Sequence, residues 1–481
     1  MPVIITLSVI CSLIVILLAT LIIRALRFKP YPEDERSKEE IDVDVDAAVH
    51  SLAEMIKCKT ISDRNKENED EAEFLKFKQL LPTLFPKVYE KCSYEEPSDR
   101  SILLRWEGKS HDAPSVLMSH YDVVSVVAEN WERDPFAAEL VDGVLWGRGT
   151  LDTKGTLNAA LFAAEKLIGE GFVPENDVYF AFGGDEEING HGASDIVKLF
   201  VERNITPALV VDEGGAVVEG VFPGVKEPCA LIGIAEKGML NVEYSVTGGG
   251  GHSSSPAPHT PVGKLSKACV MMEEHPFDFR LTPPTLKMFD TLARRSSFVY
   301  RLIFANLRFF SPVLNLITKA SGGELNALVR TTTAFTQMEG SKGVNVIPPY
   351  AKMVSNHRIL PGETMDSALA RIRKTVKDEK VEIRKIDGMN PSKVSATDTE
   401  AWQRVRSAVA DTWQNAIVSP YLMFACSDSR HWSEISDKVY RFSAMALTKE
   451  ERGTLHGNNE RVPVQTIKKS VEFYVRLIKK C

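Results

Sequence analysis

The sequence predicts an α/β fold that follows one N-terminal transmembrane helix and is interrupted by an inserted α+β domain. Three observations lead to this prediction. An uncharged apolar run opens the chain, short apolar runs then alternate with helical stretches, and a Gly/Ser/Pro-rich stretch interrupts this alternation before it resumes near Glu363. Alternation of strands and helices is typical of a sheet with helices packed on its faces. The predicted boundaries are 1–29 for the helix and its basic flank, 30–46 for a charged linker, 47–240 and 361–481 for the two parts of the first domain, and 241–360 for the inserted domain.

The composition is that of a globular protein. Its 481 residues exceed what one hydrophobic core usually serves, so two or more domains are expected. The net charge of −7 gives no reason to expect nucleic acid as a partner. Seven cysteines show no C-x-x-C pair or regular spacing, which indicates neither a disulfide scaffold nor a thiolate zinc site.

The apolar run from Val3 to Ile23 predicts a membrane anchor. It is uncharged and long enough to cross a hydrocarbon core of roughly 30 Å. It is longer than the apolar part of a typical cleaved signal peptide, and no small-x-small cleavage site follows it. We therefore expect an uncleaved anchor and a single-pass membrane protein.

The orientation of this anchor is left open by the sequence. Arg24, Arg27 and Lys29 follow the apolar run, and the positive-inside rule would then place the body in the cytosol. The N-glycosylation sequon at Asn204 is compatible with the opposite orientation.

Three predicted strands of the first domain end at histidine or acidic residues. SVLMSHYD reaches His120, DVYFAFGGDEE reaches Glu186 and Glu187, and ALVVDEGG reaches Asp212. The stretch GVLWGRGTLDTKG carries Asp152 on a loop. Because ligands of α/β sheets gather beyond the carboxyl ends of strands, these side chains are expected at one edge of the sheet.

The stretch AFGGDEEINGHG places Asp185, Glu186 and Glu187 side by side among glycines. Like charges in a row repel, and a solvated acidic turn is the ordinary interpretation. A divalent cation is the alternative, because it is often the largest local charge in a site and stabilises clustered acids. The neighbouring strand ends favour the cation.

Nine short motifs, taken in order, resemble those of the aminoacylase/carboxypeptidase family of two-zinc metallopeptidases, peptidase family M20. They are SHYDVV, GRGTLDTKG, GGDEEINGHG, VVDEGG, GGGGHSSSP, NVIPP, NHRILPG, SDSR and TLHGNNE. Each motif alone is weak, but nine in order at compatible spacing are very hard to produce by chance. The resemblance covers residues 48–478. Within the family, the chain is most similar to N-fatty-acyl-amino-acid synthase/hydrolases and, after them, to vacuolar Gly-X carboxypeptidases. The motifs that carry this closer similarity are LTPPTLKMFDTLA, VRTTTA and NVIPP.

The resemblance implies a two-zinc exopeptidase-type catalytic domain with an inserted dimerisation (lid) domain. It also implies a luminal or extracellular body, because relatives with this signature work in those spaces. Asp152 is expected to bridge two zinc ions, with His120 and Asp212 completing one site and Glu187 and His456 the other. Zinc takes imidazole nitrogen and carboxylate oxygen as ligands. Cobalt or manganese could occupy such a site in vitro.

The same resemblance implies that Glu186 is the general base, which takes a proton from water and delivers it to the leaving amine. Adjacent residues of an extended turn point in different directions, so Glu187 can face metal while Glu186 faces water. On that argument Asp185 is not a ligand, and it is expected either to hydrogen-bond a ligand or to cap the turn. Asp122 is expected to hydrogen-bond the imidazole of His120 and to fix which nitrogen faces the metal.

Three further residues are implied to contact the substrate. Arg358 suits a bidentate hold on the free carboxylate of an amino acid, and Asn345 is expected beside that carboxylate. His252 is expected to stabilise the tetrahedral oxyanion of the partner subunit's site across a homodimer. On their own, these residues would be read as a solvated arginine, a turn asparagine and a loop histidine. Asp428 and Arg430 match substrate-pocket positions of the family.

These residues together predict a zinc-dependent hydrolase of amide bonds next to a free carboxylate. The expected reaction is hydrolysis of N-fatty-acyl amino acids and the reverse condensation. A carboxypeptidase or dipeptidase of the Gly-X type, acting on short peptides, is the alternative. A non-catalytic relative is disfavoured because every expected ligand and the base are present.

One apolar segment of the inserted domain has two interpretations. Residues Ser297 to Ile317 contain four phenylalanines and only two charged residues, Arg301 and Arg308. The segment either packs within the inserted domain or its dimer contact, or forms an apolar wall near the cleft that receives a long acyl chain. In the second case each buried methylene would contribute about 0.8 kcal/mol.

Overall fold

The computed structural model describes residues 2–32 and 35–481, so Glu33 and Asp34 of the predicted linker lie outside the described residues. The helices are α1 (Pro2–Arg27), α2 (Val45–Ile56), α3 (Glu71–Leu84), α4 (Pro86–Lys91), α5 (Lys154–Gly169), α6 (Gly192–Glu202), α7 (Pro261–Glu274), α8 (Pro283–Ala293), α9 (Phe298–Phe304), α10 (Leu307–Ser321), α11 (Gly323–Val329), α12 (Met365–Val376), α13 (Glu400–Thr412), α14 (Ser429–Trp432), α15 (Lys449–Arg452) and α16 (Val464–Ile478). The strands are β1 (Ser93–Glu95), β2 (Ser101–Trp106), β3 (Ser110–His120), β4 (Leu140–Val141), β5 (Val144–Trp146), β6 (Asn176–Gly183), β7 (Leu209–Val218), β8 (Cys229–Glu236), β9 (Gly238–Thr247), β10 (Gly251–His252), β11 (Thr332–Glu339), β12 (Val346–Ile347), β13 (Tyr350–Ile359), β14 (Glu382–Met389), β15 (Ile417–Met423), β16 (Val439–Ala446) and β17 (Arg461–Pro463).

The main sheet orders its strands β1-β2-β6-β3-β7-β16-β8-β15. Strands β6, β3, β7 and β16 run parallel to one another, while β1 and β2 extend the sheet in antiparallel fashion. The parallel strands therefore share one carboxyl edge, at which β3 ends at His120 and β6 ends at Gly183.

Both faces of the main sheet are covered by helices. Leu117 and Phe180 belong to the core that also contains residues of α5 and α16. Their neighbours Met118 and Tyr179 belong to a second core with residues of α6 and α14. Apolar runs without alternation are expected for parallel strands, because both of their faces are buried. The predicted α/β fold is confirmed.

A separate antiparallel sheet lies between β8 and β15 in chain order. Its strands are ordered β11-β13-β9-β14, and α7 and α12 pack against it. Leu240, Tyr244, Leu265, Met353 and Ile372 belong to a hydrophobic core distinct from the two cores of the main sheet.

This second sheet extends beyond the boundary predicted at residue 360. β14 pairs with β9 and α12 packs on the same sheet, so residues 365–389 belong to it and not to the second part of the main domain. A helix followed by a strand gives the same local pattern whichever sheet the strand joins. Periodicity therefore could not locate this boundary.

The helices of the predicted 241–360 segment divide between the cores. α7 packs on the second sheet, whereas α8 packs against β15 of the main sheet. Met288, Phe289 and Leu292 of α8 lie in the main core, as does Phe304 at the end of α9. The structure therefore differs from the single inserted domain that the sequence predicted.

Helix α1 is long and apolar enough to cross a membrane. A helix of this kind next to the N-terminus either spans a membrane or acts as a signal sequence. Its side chains are exposed from Val3 to Thr20, while Leu21 and Ala25 are buried where the helix meets α9.

Candidate metal centre

The predicted site residues come together at the carboxyl edge of the parallel strands. His120 ends β3, Glu186 and Glu187 follow β6 in a 3₁₀ helix, Asp152 precedes α5, and His456 lies in the loop between α15 and β17. Because β3 and β6 pair in parallel up to their last residues, the side chains that follow them meet at one point.

Asp152 lies between two groups of possible metal ligands and belongs to both. Its Oδ1 is 3.0 Å from His120 Nε2, and its Oδ2 is 2.9 Å from His456 Nε2. Glu213 Oε1 lies 3.5 Å from His120 Nε2, and Glu187 Oε2 lies 3.1 Å from His456 Nε2. Within each group, the three ligand atoms lie within 4.8 Å of one another.

Glu213 occupies the place that the sequence-based ligand set gives to Asp212. A carboxylate oxygen of Asp212 instead accepts the backbone N–H of Ser429 at 2.9 Å. The Asp212 side chain is buried, and among the described residues it belongs to neither group of possible ligands. This geometry places Glu213, and not Asp212, beside His120, and Asp212 as a metal ligand stays a prediction.

A bulge in β7 explains the exchange. The strand does not end at the acidic residues but continues to Val218, and in its pairing with β16 the residues Glu213 and Gly214 have no opposite residue. A bulge breaks the alternation of a regular strand and re-aims the side chain that it contains. Gly214 has a φ of 137°, and a Cβ there would lie 2.4 Å from Met423 Sδ. The glycine pair in VVDEGG is the sequence signal that could have indicated this bulge.

Asp122 is a fully buried carboxylate that connects two strand ends. It accepts the backbone N–H groups of Glu186 and Glu187 at 3.2 and 3.1 Å and the hydroxyl of Ser62 at 2.6 Å. Nδ1 of His120 lies 3.3 Å from its carboxylate and 3.0 Å from its backbone oxygen. Asp122 therefore orients the imidazole of His120. It also fixes the acidic turn, a second role that the sequence did not indicate.

Asp185 stabilises the turn that follows the acidic run. Its carboxylate accepts the backbone N–H groups of His191 at 2.7 Å and Gly192 at 3.0 Å, at the beginning of α6. Gly190 is required nearby, since a Cβ there would lie 2.0 Å from Asp185 Oδ2. The expectation that Asp185 supports the turn is confirmed.

Glu460 ties the loop before α5 to the loop after α15. Its Oε1 accepts the backbone N–H groups of Gly149, Leu151 and Asp152 at 3.1, 2.7 and 3.2 Å, and its Oε2 accepts Arg148 Nη1 at 2.6 Å. The residue lies in the TLHGNNE motif, but no role for it was predicted from the sequence. A buried carboxylate with four donors fixes the relative position of the two loops that carry Asp152 and His456.

The carboxylates of the site shift the pKa of their neighbours. Burial and the charge of Asp152 raise the pKa of Glu213 to about 8. Hydrogen bonds with Asp152 and Glu187 raise the pKa of His456 to about 10. Burial alone would lower the pKa of His120, but Glu213 and the neighbouring aspartates raise it well above its usual range. The site concentrates negative charge in a buried place, which a divalent cation would stabilise.

Glu186 lies close to both groups without belonging to either. Burial raises its pKa well above the usual range; His120 opposes this shift, and Asp428 and Glu213 add to it. Burial also raises the pKa of Asp428 to about 7, against the charge of Arg430. A buried carboxylate with a raised pKa beside metal ligands is typical of a group that exchanges protons.

Arg358 reaches from β13 of the second sheet to the loop that follows β15 of the main sheet. Its Nη1 lies 3.7 Å from Sγ of Cys426, two residues before Asp428. Burial and the charge of Arg358 lower the pKa of Lys237 to about 7. Burial raises the pKa of the Cys426 thiol to about 11, and Glu186 is among the charges that act on this thiol. Arg358 thus contacts the loop that leads from β15 to Asp428.

His252 and Asn345 lie together on a small two-stranded sheet. His252 pairs with Val346, and the backbone oxygen of Asn345 accepts the N–H of Ser253 at 3.0 Å. Both side chains are exposed, and His252 Nδ1 is 2.8 Å from the hydroxyl oxygen of Ser254. Within the described part of the chain neither residue joins a group of possible ligands. Their substrate roles stay predictions.

The donor set fits two metal ions that prefer nitrogen and oxygen ligands. Each group supplies one imidazole and two carboxylates, and the shared Asp152 supplies one oxygen to each. Three protein ligands per ion leave a position open, as in catalytic zinc sites.

Comparison with known proteins adds a family to this geometry. The sequence model described as Peptidase family M20/M25/M40 matches residues 116–480. A probable carboxypeptidase S-like 2 of Dictyostelium discoideum is 35% identical over 98% of this chain and 93% of its own length. An N-fatty-acyl-amino acid synthase/hydrolase of Xenopus tropicalis is 35% identical over 89% of this chain and 85% of its own length.

A solved structure supports the same fold. The M20 family metallo-carboxypeptidase Sso-CP2 from Sulfolobus solfataricus superimposes with a TM-score of 0.68 and covers 90% of this chain and 98% of its own. At 18% sequence identity, this likeness concerns the fold alone.

Proposed function

The chain belongs to peptidase family M20/M25/M40, and from that premise we propose that it hydrolyses amide bonds adjacent to a free carboxylate. It is a metallohydrolase of that family. The observation that carries the proposal is the position of Asp152, shared between two groups of ligands, with Glu186 buried beside them.

We propose that His120, Asp152 and Glu213 hold one zinc ion and that Asp152, Glu187 and His456 hold a second. The mixed imidazole and carboxylate donors support zinc. When bound, the two ions would polarise the scissile carbonyl and lower the pKa of the attacking water. Glu213 replaces Asp212 in this set because its carboxylate faces His120.

Glu186 is the proposed general base. Its carboxylate accepts a proton from the attacking water and then delivers that proton to the nitrogen of the leaving amine. The pKa raised by burial suits a group that must both accept and return a proton. Asp122 supports this role. Its carboxylate accepts the backbone N–H groups of Glu186 and Glu187, and these hydrogen bonds fix the turn from which the two side chains point in different directions.

Arg358 is the proposed anchor for the free carboxylate of the amino-acid part, with Asn345 beside it. The planar guanidinium binds a carboxylate through two parallel hydrogen bonds. His252 is proposed to stabilise the oxyanion in the site of a second subunit, with the second sheet acting as lid and dimerisation domain. The exposed position of His252 on the small β10–β12 sheet supports a role across a subunit interface.

N-fatty-acyl amino acids are the proposed substrates, in hydrolysis and in the reverse condensation. The Xenopus tropicalis relative, a synthase/hydrolase of such compounds by name, supports this choice. A Gly-X-type carboxypeptidase is the second candidate, because the carboxypeptidase S-like relative matches nearly the whole chain.

A substrate panel separates these two candidates. Full-length protein, purified in detergent and assayed for zinc, is given N-acyl-phenylalanines of increasing acyl length and a set of dipeptides, with Glu186→Gln as the inactive control. We expect kcat/KM to rise with acyl length, since each buried methylene contributes about 0.8 kcal/mol. Equal rates on acetyl and long-chain substrates, or a preference for dipeptides, would select the carboxypeptidase.

We propose that α1 is an uncleaved anchor and that the folded body is luminal or extracellular. Asn204 supports this topology, because it is exposed in the turn after α6, where a glycan could be attached. Deglycosylation should increase the mobility of the wild-type protein but not that of Asn204→Gln. Digestion of the body in sealed microsomes without detergent would place it in the cytosol.

A further inference from the structure

Helices α9 and α10 expose large apolar side chains beside the N-terminal helix. The exposed residues are Phe298, Val299 and Tyr300 of α9 and Phe309, Val313, Leu316 and Ile317 of α10. Phe309 and Leu316 keep 52% and 69% of their accessible surface. A soluble surface seldom gathers apolar groups in this way unless the patch meets a partner or a membrane.

The apolar residues of α10 lie on one face. Phe309, Val313 and Leu316 follow one another at steps of four and three, while Thr318 is buried on the opposite face. Phe304 behaves differently, because it packs in the main core with its ring 4.8 Å from that of Phe222. Packing in the core therefore explains Phe304. It does not explain the apolar residues on the exposed face of α10.

The carboxyl end of α1 is bonded to this region. Nδ2 of Asn306, between α9 and α10, donates to the backbone oxygen of Leu21 at 3.1 Å. Nη1 of Arg294 donates to the backbone oxygen of Lys29 at 2.9 Å, and its guanidinium lies 4.2 Å from the ring centre of Phe28. The N-terminal helix thus has a defined attachment to the body.

The length of the exposed part of α1 sets how far this attachment lies from the end of the helix. Residues 3–20 are exposed and rise about 27 Å at 1.5 Å per residue. A hydrocarbon core is roughly 30 Å thick. When residues 3–20 cross a bilayer, Leu21 and the attached α9 lie at its interface.

The charges of the region suit an anionic surface. The sequence from residue 291 to residue 323 contains no acidic residue. It contains the basic residues Arg295, Arg301, Arg308 and Lys319, besides Arg294, whose guanidinium is paired with the carboxylate of Asp290 at 2.9 Å. Basic residues next to a membrane span are attracted by anionic lipid headgroups.

We propose that the exposed apolar face of α9 and α10, together with these basic residues, enters the headgroup region of the same bilayer that α1 crosses. This inference rests on the proposed anchor. It gives the enzyme a second membrane contact, in the manner of an interfacial amphipathic helix.

The contact also links the bilayer to the proposed substrate site. α11 follows α10 directly, and the backbone oxygens of Ala327 and Arg330 accept Nζ of Lys237 at 3.1 and 3.0 Å. Lys237 is the buried residue on which the charge of Arg358 acts. The segment that follows α10 is therefore bonded to Lys237, a neighbour of the residue proposed to bind the amino-acid carboxylate.

Tryptophan fluorescence in brominated lipid tests this inference. Full-length Phe309→Trp and Leu316→Trp variants are reconstituted in phosphatidylcholine vesicles that contain phosphatidylserine, with bromine placed either near the headgroup end or near the terminus of the acyl chains. Leu75→Trp on α3 is the matched control, because Leu75 is 55% exposed. Ile10→Trp, within α1, is the reference for the span. Wild-type fluorescence is subtracted to remove the native tryptophans.

We expect Phe309→Trp and Leu316→Trp to be quenched several-fold more than Leu75→Trp, and most strongly by bromine near the headgroup end. Ile10→Trp should respond most to bromine deeper in the chains. If Ile10→Trp alone is quenched, the anchor stands and the interfacial contact is wrong. If no variant is quenched, both fail. A blue shift at positions 309 and 316 without quenching would mean that a second copy of the chain covers this face, which also overturns the inference. Hydrolysis is not measured, so these outcomes are independent of the proposed reaction.

Discussion

The candidate metal centre and the α9–α10 face depart from ordinary burial in opposite directions. The metal centre buries carboxylates such as Asp122 and Glu460, whereas α10 exposes residues such as Phe309 and Leu316. Each of the two acids accepts at least three hydrogen bonds. Buried polar groups usually have hydrogen-bond partners within the protein. Large exposed apolar patches, in contrast, usually mark a surface that contacts a partner or a membrane.

This difference separates two kinds of function. A site that must hold charges in fixed directions requires bonds within the chain, and changes to those bonds should alter chemistry. A face that contacts a lipid bilayer requires only apolar surface area and positive charge. Single substitutions on such a face should therefore leave the folded body intact. The following predictions test this contrast, from the largest expected effect to the smallest.

The largest effect is expected at the proposed base. Glu186→Gln keeps the shape of the side chain but cannot accept a proton, so kcat should fall by roughly 10²–10⁴-fold. Metal content, measured by atomic absorption, should be unchanged. Glu187→Gln is the control, because it should lose metal. If Glu186→Gln lost metal and Glu187→Gln kept it, the roles within the acidic run would be exchanged.

The bulge in β7 predicts that Glu213 and Asp212 differ in metal binding. Glu213→Gln should weaken one of the two metal positions by more than the roughly 10–100-fold that loss of a supporting hydrogen bond costs. Asp212→Asn still accepts the N–H of Ser429 and should keep both ions. Titration of the apoprotein with zinc measures both variants. A larger loss in Asp212→Asn would restore the ligand set predicted from the sequence.

Two phenylalanines of one segment should differ in their effect on stability. Phe304 is buried in the main core, so Phe304→Ala should lower the free energy of unfolding by about 3–5 kcal/mol. Phe309 is exposed, so Phe309→Ala in detergent should change it by no more than about 0.5 kcal/mol. Denaturant unfolding of both variants measures the difference. Equal destabilisation would show that the α10 face is packed against protein.

A buried polar group outside the metal centre should affect stability and not turnover. Burial lowers the pKa of His357 to about 4, and its two ring nitrogens lie 3.0 Å from the hydroxyl oxygen of Thr333 and 2.7 Å from that of Ser355. The unfolded chain therefore binds a proton near pH 6.5 that the folded chain resists, so stability is complete above about pH 6.5 and is lost as the pH falls toward 4. At 1.36 kcal/mol per pKa unit the loss is about 3 kcal/mol.

Unfolding of His357→Gln tests this linkage. The variant should show a shallower fall of the unfolding free energy between pH 6.5 and 4 than the wild type, with a similar kcat at neutral pH. An unchanged slope would mean that other groups cause the acid sensitivity.

Much of the fold and part of the candidate site could be predicted from local sequence patterns. The apolar runs before His120 and Glu186 predicted two strands of the main sheet, and the different directions of adjacent residues in the turn predicted a supporting role for Asp185. The direction of a side chain after a strand is less predictable. Asp212 and Glu213 are neighbours of the same chemical type, and the bulge that selects Glu213 depends on pairing with β16, which lies more than two hundred residues later.

The sequence by itself determined the α/β class, the apolar N-terminal helix and the set of acids and histidines gathered at strand ends, because each of these depends on residues close together in the chain. Tertiary structure decided which sheet α8 and β14 join, which of two adjacent carboxylates faces His120, and which of the phenylalanines after Ser297 are buried. These outcomes depend on contacts between distant segments, and such contacts leave no period in the local sequence.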